Sequence, residues 1–249
     1  MSFYWADESV SSLAQFVALF EKGGRFASLA NHWFRGEGKA RKRGSLLPSI
    51  SRAGSTVQRE WGLYQRFRQN ASAFLPHSSL SAWDWMFYMR HYGIDTRLLD
   101  WSESALVALY FAVEKPENDN RGGVVWCLDP VRLNELAGSG RQIHCAGLDV
   151  TLDSYTIESV KTSPDDVLFQ PLAFIAPRSF PRLVAQQGVF TVTHRNPVAL
   201  DAIRDDSLLA RVRVPAGAKT RIRSALQLLG YSRLSLYPEL QSLAVGGAR

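Results

Sequence analysis

The sequence has few cysteines and no long apolar run. Its two cysteines, Cys127 and Cys145, form no C-x-x-C pair and have no metal-ligand spacing, which argues against a disulfide framework and favours a reducing compartment. No apolar stretch approaches the ~20 residues that span a bilayer, and no apolar segment follows a basic start as in a signal peptide. We therefore expect a cytoplasmic protein that binds neither a membrane nor a metal.

Common catalytic signatures are also missing. The chain has no G-x-G-x-x-G, Walker loop, G-x-S-x-G or H-E-x-x-H motif, and its five histidines lack zinc-like spacing. The motif-defined nucleotide-binding, hydrolase and zinc-protease classes are therefore not indicated. A functional site has to be sought among polar residues whose placement is unusual.

Positive charge is in excess and is clustered. Lysine and arginine number 29, against 23 aspartates and glutamates, which indicates either a polyanionic partner or a generic basic surface. The stretch GKARKRG carries Lys39, Arg41, Lys42 and Arg43 between two glycines. This stretch predicts a mobile basic loop that could contact a nucleic-acid backbone.

Hydrophobic periodicity predicts mainly helices in the first half and mainly strands later. Helices are predicted at 9–22, 56–74, 83–92, 102–114, 131–137 and 216–229, and strands at HWFRG, GGVVWCLD, PLAFIAP, LVAQQ, GVFTVTH and LARVRVP. Residues 138–166 are predicted to be mostly loop. The order predicts an α+β fold in a single domain, 1–249, with N-terminal helices around a mixed or antiparallel sheet. Its core is expected at about 31–245, after an N-terminal helix within 1–24.

The HWFRG string places Arg35 after two aromatic residues and before Gly36. Glycine permits a close backbone approach or a positive φ, and an arginine held at such a turn can bind a diphosphate or carboxylate through its planar fork. The alternative is an arginine that simply points to solvent. Arg52, in GSLLPSISR, is predicted to lie beside Arg35 on the same anion.

The densest polar cluster comes just before the helix predicted at 102–114. It contains His91, Tyr92, Thr96, Arg97 and Asp100. Ser102 can cap that helix, and free amides at a helix start attract anions. The alternative is a structural network in which Asp100 caps the helix and Arg97 pairs with it, which explains His91 and Tyr92 less well. We therefore predict that this segment contributes to a functional site.

A third polar element is RLVAQQGVFTVTH. Gln186 and Gln187 precede a glycine and an apolar strand, and buried amides need partners for all their polar atoms. Either glutamine could instead tie together loop backbone.

Together these strings resemble the FRG-domain family, named for Phe-Arg-Gly, here Phe34-Arg35-Gly36. Four further strings resemble the family pattern: the Leu-Pro-x-x-x-Arg segment at 47–52, HYGIDTRLLDWSESALVALYFAVE, the Gln-x-Gly-x-Phe pattern in AQQGVFTVT, and, loosely, LYPELQSLA. The resemblance runs from about Trp33 to Leu243. The chain departs from the family at Arg90, Asp95, Ser102, Tyr237 and Glu239, where Gln, Pro, Thr, Phe and Asp are usual, and the first two lie at the edge of the predicted site.

The aromatic-Arg-Gly string is also similar to the first motif of ADP-ribosyltransferases. This resemblance implies an ADP-ribosyltransferase-like cleft that takes NAD as substrate. By this resemblance Arg35 would hold NAD, Tyr92 or Phe190 would stack on nicotinamide, and Gln187 would take the late-strand position. Gly36, Arg52, Thr96 and Arg97 are predicted to complete the NAD site. Asp100 or Glu239 would have to supply the carboxylate, and this carboxylate or His91 would accept a proton.

The basic loop indicates a nucleic acid as the acceptor, and the family resemblance implies adenine as the modified base. Lys39, Arg41, Lys42 and Arg43 would contact its backbone, and Trp33, Trp61 or Trp83 would stack on an unpaired base. A toxin or phage-defence role follows, with an antitoxin or inhibitor protein as a possible partner. Two other functions stay open: a non-catalytic nucleotide or nucleic-acid binding module, and an NAD glycohydrolase that uses His91 and Asp100.

Overall fold

The structure is a computed structural model that describes residues 6–22, 24, 26, 31–41, 44, 46–52, 57–75, 80–164 and 169–239. Two members of the predicted basic loop, Lys42 and Arg43, lie outside these ranges. Across the described ranges, no helix combines the length and the apolar character needed to cross a membrane.

The described residues form one open eight-stranded mixed sheet with helices packed against it, so the fold is α+β as predicted. The strands are β1 (Ala6–Ser9), β2 (Trp33–Glu37), β3 (Leu98–Ser102), β4 (Gly123–Leu128), β5 (His144–Cys145), β6 (Leu172–Ile175), β7 (Gly188–Val192) and β8 (Leu209–Val214). Their order in the sheet is β1-β8-β4-β2-β3-β7-β6-β5. The β1–β8 and β5–β6 pairs are parallel and the other neighbours are antiparallel.

The helices confirm most of the predicted positions. They are α1 (Leu13–Ala18), α2 (Ser49–Arg52), α3 (Val57–Ala71), α4 (Ala82–His91), α5 (Ala105–Val113), α6 (Pro130–Leu136), α7 (Val150–Asp153), α8 (Ile157–Thr162), α9 (Pro181–Ala185), α10 (Lys219–Leu228) and α11 (Arg233–Leu236). Short 3-10 turns occur at Pro116–Asn118, Leu200–Ala202 and Ala216–Ala218. Gly230, which follows α10, has a φ of 88°, consistent with a glycine that ends a helix.

The helix predicted at 102–114 begins later than expected. Ser104, rather than Ser102, is its N-cap, because the Ser104 side chain accepts a hydrogen bond from the amide of Val107. Ser102 ends strand β3. The polar cluster therefore leads into a buried strand, and the prediction of a helix start beside Asp100 is wrong.

Three other predictions of local structure are also corrected. LVAQQ is not a strand: Pro181 occupies the first turn of helix α9, where its fixed φ favours a helix. The segment 138–166 contains β5, α7 and α8 instead of mostly loop. The N-terminal helix is limited to α1 and follows a strand, β1.

Two apolar clusters pack on either side of the β2–β3 junction. Helix α5 packs against β2 and β4, and an added Cβ at Gly36 would lie only 1.8 Å from the carbonyl oxygen of Ala108. The second cluster places Trp83 and Phe87 of α4 against Phe174 and Phe190 of β6 and β7. A third cluster, which includes Trp33, Trp101 and Val189, spans both halves of the sheet. Strands β2 and β3 lie where the first two clusters meet.

Candidate functional site

Strands β2 and β3 separate from each other and leave a cleft. Each pairs over five residues with its other neighbour, β4 or β7, whereas the two are registered with each other only at Phe34 and Ser102. The cleft that opens beside this junction has a volume of about 570 Å³. Sites for small molecules and cofactors have volumes of roughly 300–1,000 Å³, so this cleft has the size of a ligand site.

The cleft carries more basic than acidic side chains. Its basic lining residues are Arg35, Lys39, Arg41, Arg90, Lys115 and Arg182, and its acidic ones are Glu37, Asp100 and Glu114. Concave surfaces lined mainly by one sign of charge concentrate the oppositely charged ligand. This composition therefore favours an anionic ligand.

Arg35 bridges the two strands where they separate. Its Nη1 donates a hydrogen bond to the carbonyl oxygen of Asp100 at 2.7 Å, and its Nε lies 3.4 Å from Oε1 of Glu37. Within the described residues, its Nη2 has no hydrogen-bond partner. Because a guanidinium carries five donors in a fixed plane, Arg35 can hold the strands and still bind a ligand.

Asp100 is paired with Arg90, at the end of α4. The Nε of Arg90 lies 2.9 Å from both carboxylate oxygens of Asp100, and its Nη2 contacts Oδ2. Burial alone would raise the pKa of the Asp100 carboxyl, but the charge and hydrogen bonds of Arg90 outweigh burial and hold the pKa below its usual value. The charge of the Asp100 carboxylate is thus already balanced by the Arg90 guanidinium, and Asp100 pairs with Arg90 rather than with Arg97.

Thr96 and Arg97 are buried, and neither lines the cleft. The backbone and side chain of Arg97 donate to the carboxylate of Glu60, and its Nη1 and Nη2 donate to the carbonyl oxygens of Thr193 and Tyr155 at 2.7 and 2.8 Å. These contacts use the guanidinium within the fold. The prediction that Thr96 and Arg97 bind a cofactor is therefore corrected: their role is structural.

His91 lines the cleft, whereas Tyr92 does not. The His91 ring stacks on Phe180, with centroids 4.6 Å apart and an interplanar angle of 11°. Its Nε2 lies 3.9 Å from Oε1 of Glu239, which comes close to the site without lining the cleft. Burial lowers the pKa of His91, which favours the neutral imidazole. Tyr92 is 60% exposed and lies outside the cleft, contrary to its predicted stacking role.

The polar contribution of the QQG string comes from Gln186 rather than Gln187. The carbonyl oxygen of Gln186 accepts a hydrogen bond from Ser102 Oγ at 2.7 Å, and its Nε2 donates to the carbonyl oxygen of Leu236 at 2.8 Å. Gln187 is exposed, has a φ of 47° and does not line the cleft. Because it follows α9 in a turn, it does not occupy a late-strand position, and this prediction is corrected.

Phe190 lines the cleft but belongs to the apolar core. It is 2% exposed, and its ring stacks on Phe87 and Phe174 with centroids 5.4 and 5.8 Å away. A ring held in this way forms part of the floor of the cleft. Its ring therefore has little exposed surface for a ligand, contrary to the prediction that Phe190 stacks on nicotinamide.

Cations crowd one end of the cleft, near the C-terminus of β2. Lys39 and Arg41 line it. Arg52 does not line it and donates to the carbonyl oxygen of Leu47, but burial and the charges of Arg41 and Arg35 lower the pKa of Arg52. Arg52 therefore adds positive charge close to Arg35 without forming part of the cleft surface.

Three cleft residues were missed from the sequence. Glu114 is the C-cap of helix α5, and Tyr237 Oη donates to its carboxylate at 3.3 Å. The Arg182 guanidinium lies 4.6 Å from the centre of the Tyr237 ring. Glu114 is the last residue of the HYGIDTRLLDWSESALVALYFAVE string. It was missed because it follows an apolar run that indicates only a buried helix. Across the residues described, no three or more His, Cys, Asp or Glu side chains group as a metal site.

Comparison with known proteins gives one match. A family model of the FRG domain matches residues 30–121, which is less than half of the chain. The matched segment contains β2, β3, α5 and the cleft residues Arg35, Asp100 and Glu114, so it supports the FRG resemblance for this part of the site. No curated protein and no solved structure matches the chain.

Proposed function

We propose that the cleft binds NAD and transfers its ADP-ribose to a nucleic-acid base. The observation that supports this proposal is the meeting of Arg35 with the TRLLD strand in one basic cleft, shown by the 2.7 Å hydrogen bond from Arg35 Nη1 to the Asp100 carbonyl oxygen. The FRG match over residues 30–121 covers both elements, and the similarity of the aromatic-Arg-Gly string to ADP-ribosyltransferases points to NAD.

The basic residues suit the diphosphate of a dinucleotide. Arg35 Nη2, which has no hydrogen-bond partner among the described residues, can donate to a phosphate oxygen, while Lys39 and Lys115 add charge along the same cleft. The flat pair of His91 and Phe180 offers an aromatic contact for a base or a nicotinamide ring. These groups would fix both ends of NAD and restrict the movement of the ribose between them.

The chemical requirement is the stabilisation of positive charge on the ribose as nicotinamide leaves. Preorganised electrostatic groups can contribute about 3–4 kcal/mol to such a step. Asp100 is poorly suited to this task, because Arg90 already balances its charge. The Arg90–Asp100 pair is better suited to hold β3 against α4 and to keep the carbonyl oxygen of Asp100 on Arg35.

The acceptor assignment depends on the basic end of the cleft. Lys39 and Arg41 line this end of the cleft, and cations there would hold a phosphate backbone beside the ribose. Trp33 and Trp83 are 4% and 2% exposed, so they cannot stack on a base. The proposed toxin or defence role and the proposed inhibitor partner both depend on a nucleic-acid acceptor, so the transfer assay described below tests them as well.

The pairing of Asp100 with Arg90 also favours a second function, a binding module without catalysis. Such a module needs the basic cleft and no free carboxylate. Incubation with NAD labelled in its adenylate part, together with RNA or DNA, separates the two functions. Label on the nucleic acid supports transfer, whereas salt-sensitive binding without label supports the module. Release of nicotinamide without an acceptor would indicate an NAD glycohydrolase.

The NAD-binding part of the proposal is tested with Arg35→Lys. A lysine supplies a point charge and cannot reproduce two parallel hydrogen bonds, so calorimetric titration should show NAD affinity reduced at least tenfold, or about 1.4 kcal/mol. Arg66→Lys, an exposed change on α3, is the matched control and should bind as the parent does. Unchanged affinity in a folded Arg35→Lys protein would contradict the role of Arg35.

A further inference from the structure

We propose that Glu114 is the catalytic carboxylate of this cleft, and that Tyr237 is the residue that positions it. In this role Glu114 stabilises the positive ribose and then accepts the proton of the attacking nucleophile. The inference rests on the proposed ADP-ribosyl transfer. It replaces Asp100 and Glu239, the two carboxylates that the sequence suggested.

The first argument is the state of the three acidic side chains that line the cleft. Glu37 lies 3.4 Å from the Nε of Arg35 and is 8% exposed. Asp100 is bound by Arg90 through both of its oxygens. Glu114 forms no ion pair with a guanidinium in the described residues, and its only hydrogen bonds there come from Tyr237. Glu114 is therefore the cleft carboxylate whose charge is least neutralised.

The second argument is the position of Glu114 relative to Arg35. Helix α5 lies so close to β2 that a Cβ at Gly36 would be 1.8 Å from the oxygen of Ala108 and 2.8 Å from the nitrogen of Ala112. Glu114 follows Ala112 by two residues, at the C-cap of this helix. The close packing that Gly36 permits thus brings Glu114 to the same cleft as Arg35.

The third argument is the hydrogen bond from Tyr237. Its Oη lies 3.3 and 3.4 Å from the two carboxylate oxygens of Glu114. The backbone just before Tyr237 is fixed in turn, because Gln186 Nε2 donates to the carbonyl oxygen of Leu236. Tyr237 therefore orients Glu114 without neutralising it.

The electrostatic surroundings suit a general base. Burial raises the pKa of Glu114 above its usual value, opposed by Lys115, by the hydrogen bond from Tyr237, and by Arg233 and Arg182. Burial, and after it the charge of Glu114, raises the pKa of the Tyr110 phenol to about 12. A carboxylate with a raised pKa accepts protons more readily than an ordinary one.

The step can be written with its bonds and electrons balanced. The bond between the nicotinamide nitrogen and ribose C1′ breaks, and its electron pair leaves with the nitrogen, which loses its positive charge. The amino nitrogen of the acceptor base then forms a new bond to C1′. Its proton passes to the Glu114 carboxylate and from there to solvent. Nothing is oxidised or reduced.

The test compares Glu114→Gln with Glu117→Gln, a matched change in the exposed turn that follows. We measure calorimetric NAD binding, transfer of labelled ADP-ribose to total RNA or DNA, and the thermal midpoint of each protein. Glu114→Gln should bind NAD within about threefold of the parent and lose transfer by at least about 100-fold, as expected for a general base. Glu117→Gln should retain both.

Tyr237→Phe supplies a readout that a purely structural role would not change. Transfer requires ionised Glu114, so the rate should fall as pH drops through its raised pKa. Removing the Tyr237 hydrogen bond, which lowers this pKa, should move that acidic limb to higher pH. If Glu114→Gln is poorly folded, the shift of the acidic limb in the pH–rate profile of Tyr237→Phe tests the proposal on its own.

The outcomes separate the two proposals. A parent protein that transfers ADP-ribose, with Glu114→Gln equally active or with an unshifted Tyr237→Phe profile, overturns the role of Glu114 and leaves the proposed function intact. A parent protein that neither binds NAD nor transfers label overturns both.

Discussion

The most direct test of the corrected role of Arg97 is the removal of its buried partner by Glu60→Gln. The side chains of Arg97 and Glu60 are 4% and 2% exposed. Removal of one member of a buried ion pair costs about 3–5 kcal/mol, because it leaves the other charge desolvated and uncompensated. For a chain of this length, each kcal/mol lowers the midpoint of thermal unfolding by about 2–4 °C. We therefore expect a decrease of about 6–20 °C, measured by calorimetry.

A matched exposed pair provides the control. Arg68 and Glu158 lie 3.1 Å apart with 46% and 47% of their side chains exposed, and an exposed pair of this kind contributes about 0–1 kcal/mol. Glu158→Gln keeps a side-chain oxygen for the Tyr64 hydroxyl, which bonds Glu158 at 2.6 Å, and should therefore lower the midpoint by less than about 4 °C. Equal effects of the two substitutions would refute the view that burial makes the Arg97 pair structural. If Glu60→Gln has near-native stability but binds NAD more weakly, Arg97 contributes to the NAD site and its correction to a structural role is wrong.

Two further predictions concern packing and pH. Gly36→Ala would place its Cβ 1.8 Å from the oxygen of Ala108 and should lower the free energy of unfolding by about 1–3 kcal/mol or more. Gly62→Ala, where nothing lies within 4 Å of the new Cβ, should raise it by up to about 1 kcal/mol. Similar midpoints of thermal unfolding for the two variants would contradict this packing. Burial and the charge of Arg97 lower the pKa of His194 from 6.5 to about 4, so its contribution to stability is present above pH 6.5 and is lost as pH falls to about 4. Urea unfolding of the parent should show this loss of stability, which is about 3 kcal/mol at most, and His194→Gln should not show it. An equal loss in both proteins would exclude His194 as its source.

The parts of the fold that were predicted correctly have strong local signals. Helices α3 and α4 follow clear apolar periodicity, and LARVRVP alternates as expected for a strand with one wet face, where Val212 is buried and Arg213 is exposed. The Phe-Arg-Gly string indicated either a close backbone approach or a positive φ at Gly36, and the contact with α5 confirms the close approach. In these cases the local pattern and the tertiary packing require the same conformation.

The errors arise where partners distant in sequence decide the outcome. Arg97 and Asp100 are three residues apart, but Arg97 pairs with Glu60 and Asp100 with Arg90. In a strand, side chains three residues apart point to opposite faces, so the pairing expected near a helix start could not form. The shorter helix α5 has the same origin: β3 is stabilised by its ladder with β7, a contact that no local pattern reveals.

The environments of Asp100 and Glu114 differ in a way that assigns them separate tasks. Burial acts against the charged form of both carboxyls, yet the pKa of Asp100 is lowered because Arg90 binds it directly. The pKa of Glu114 is raised by burial, which the weaker opposing effects of Lys115 and of the Tyr237 hydrogen bond do not offset. Titratable groups in one site whose environments move their pKa values apart are suited to different chemical roles. Asp100 is therefore suited to maintain the geometry of β3 and Arg35, and Glu114 to exchange protons. A site for binding alone would gain nothing from an unneutralised carboxylate in a basic cleft, because that charge repels the anion that the cleft attracts. Under the proposed transfer, the carboxylate at the end of α5 has a role that a site for binding alone would not require.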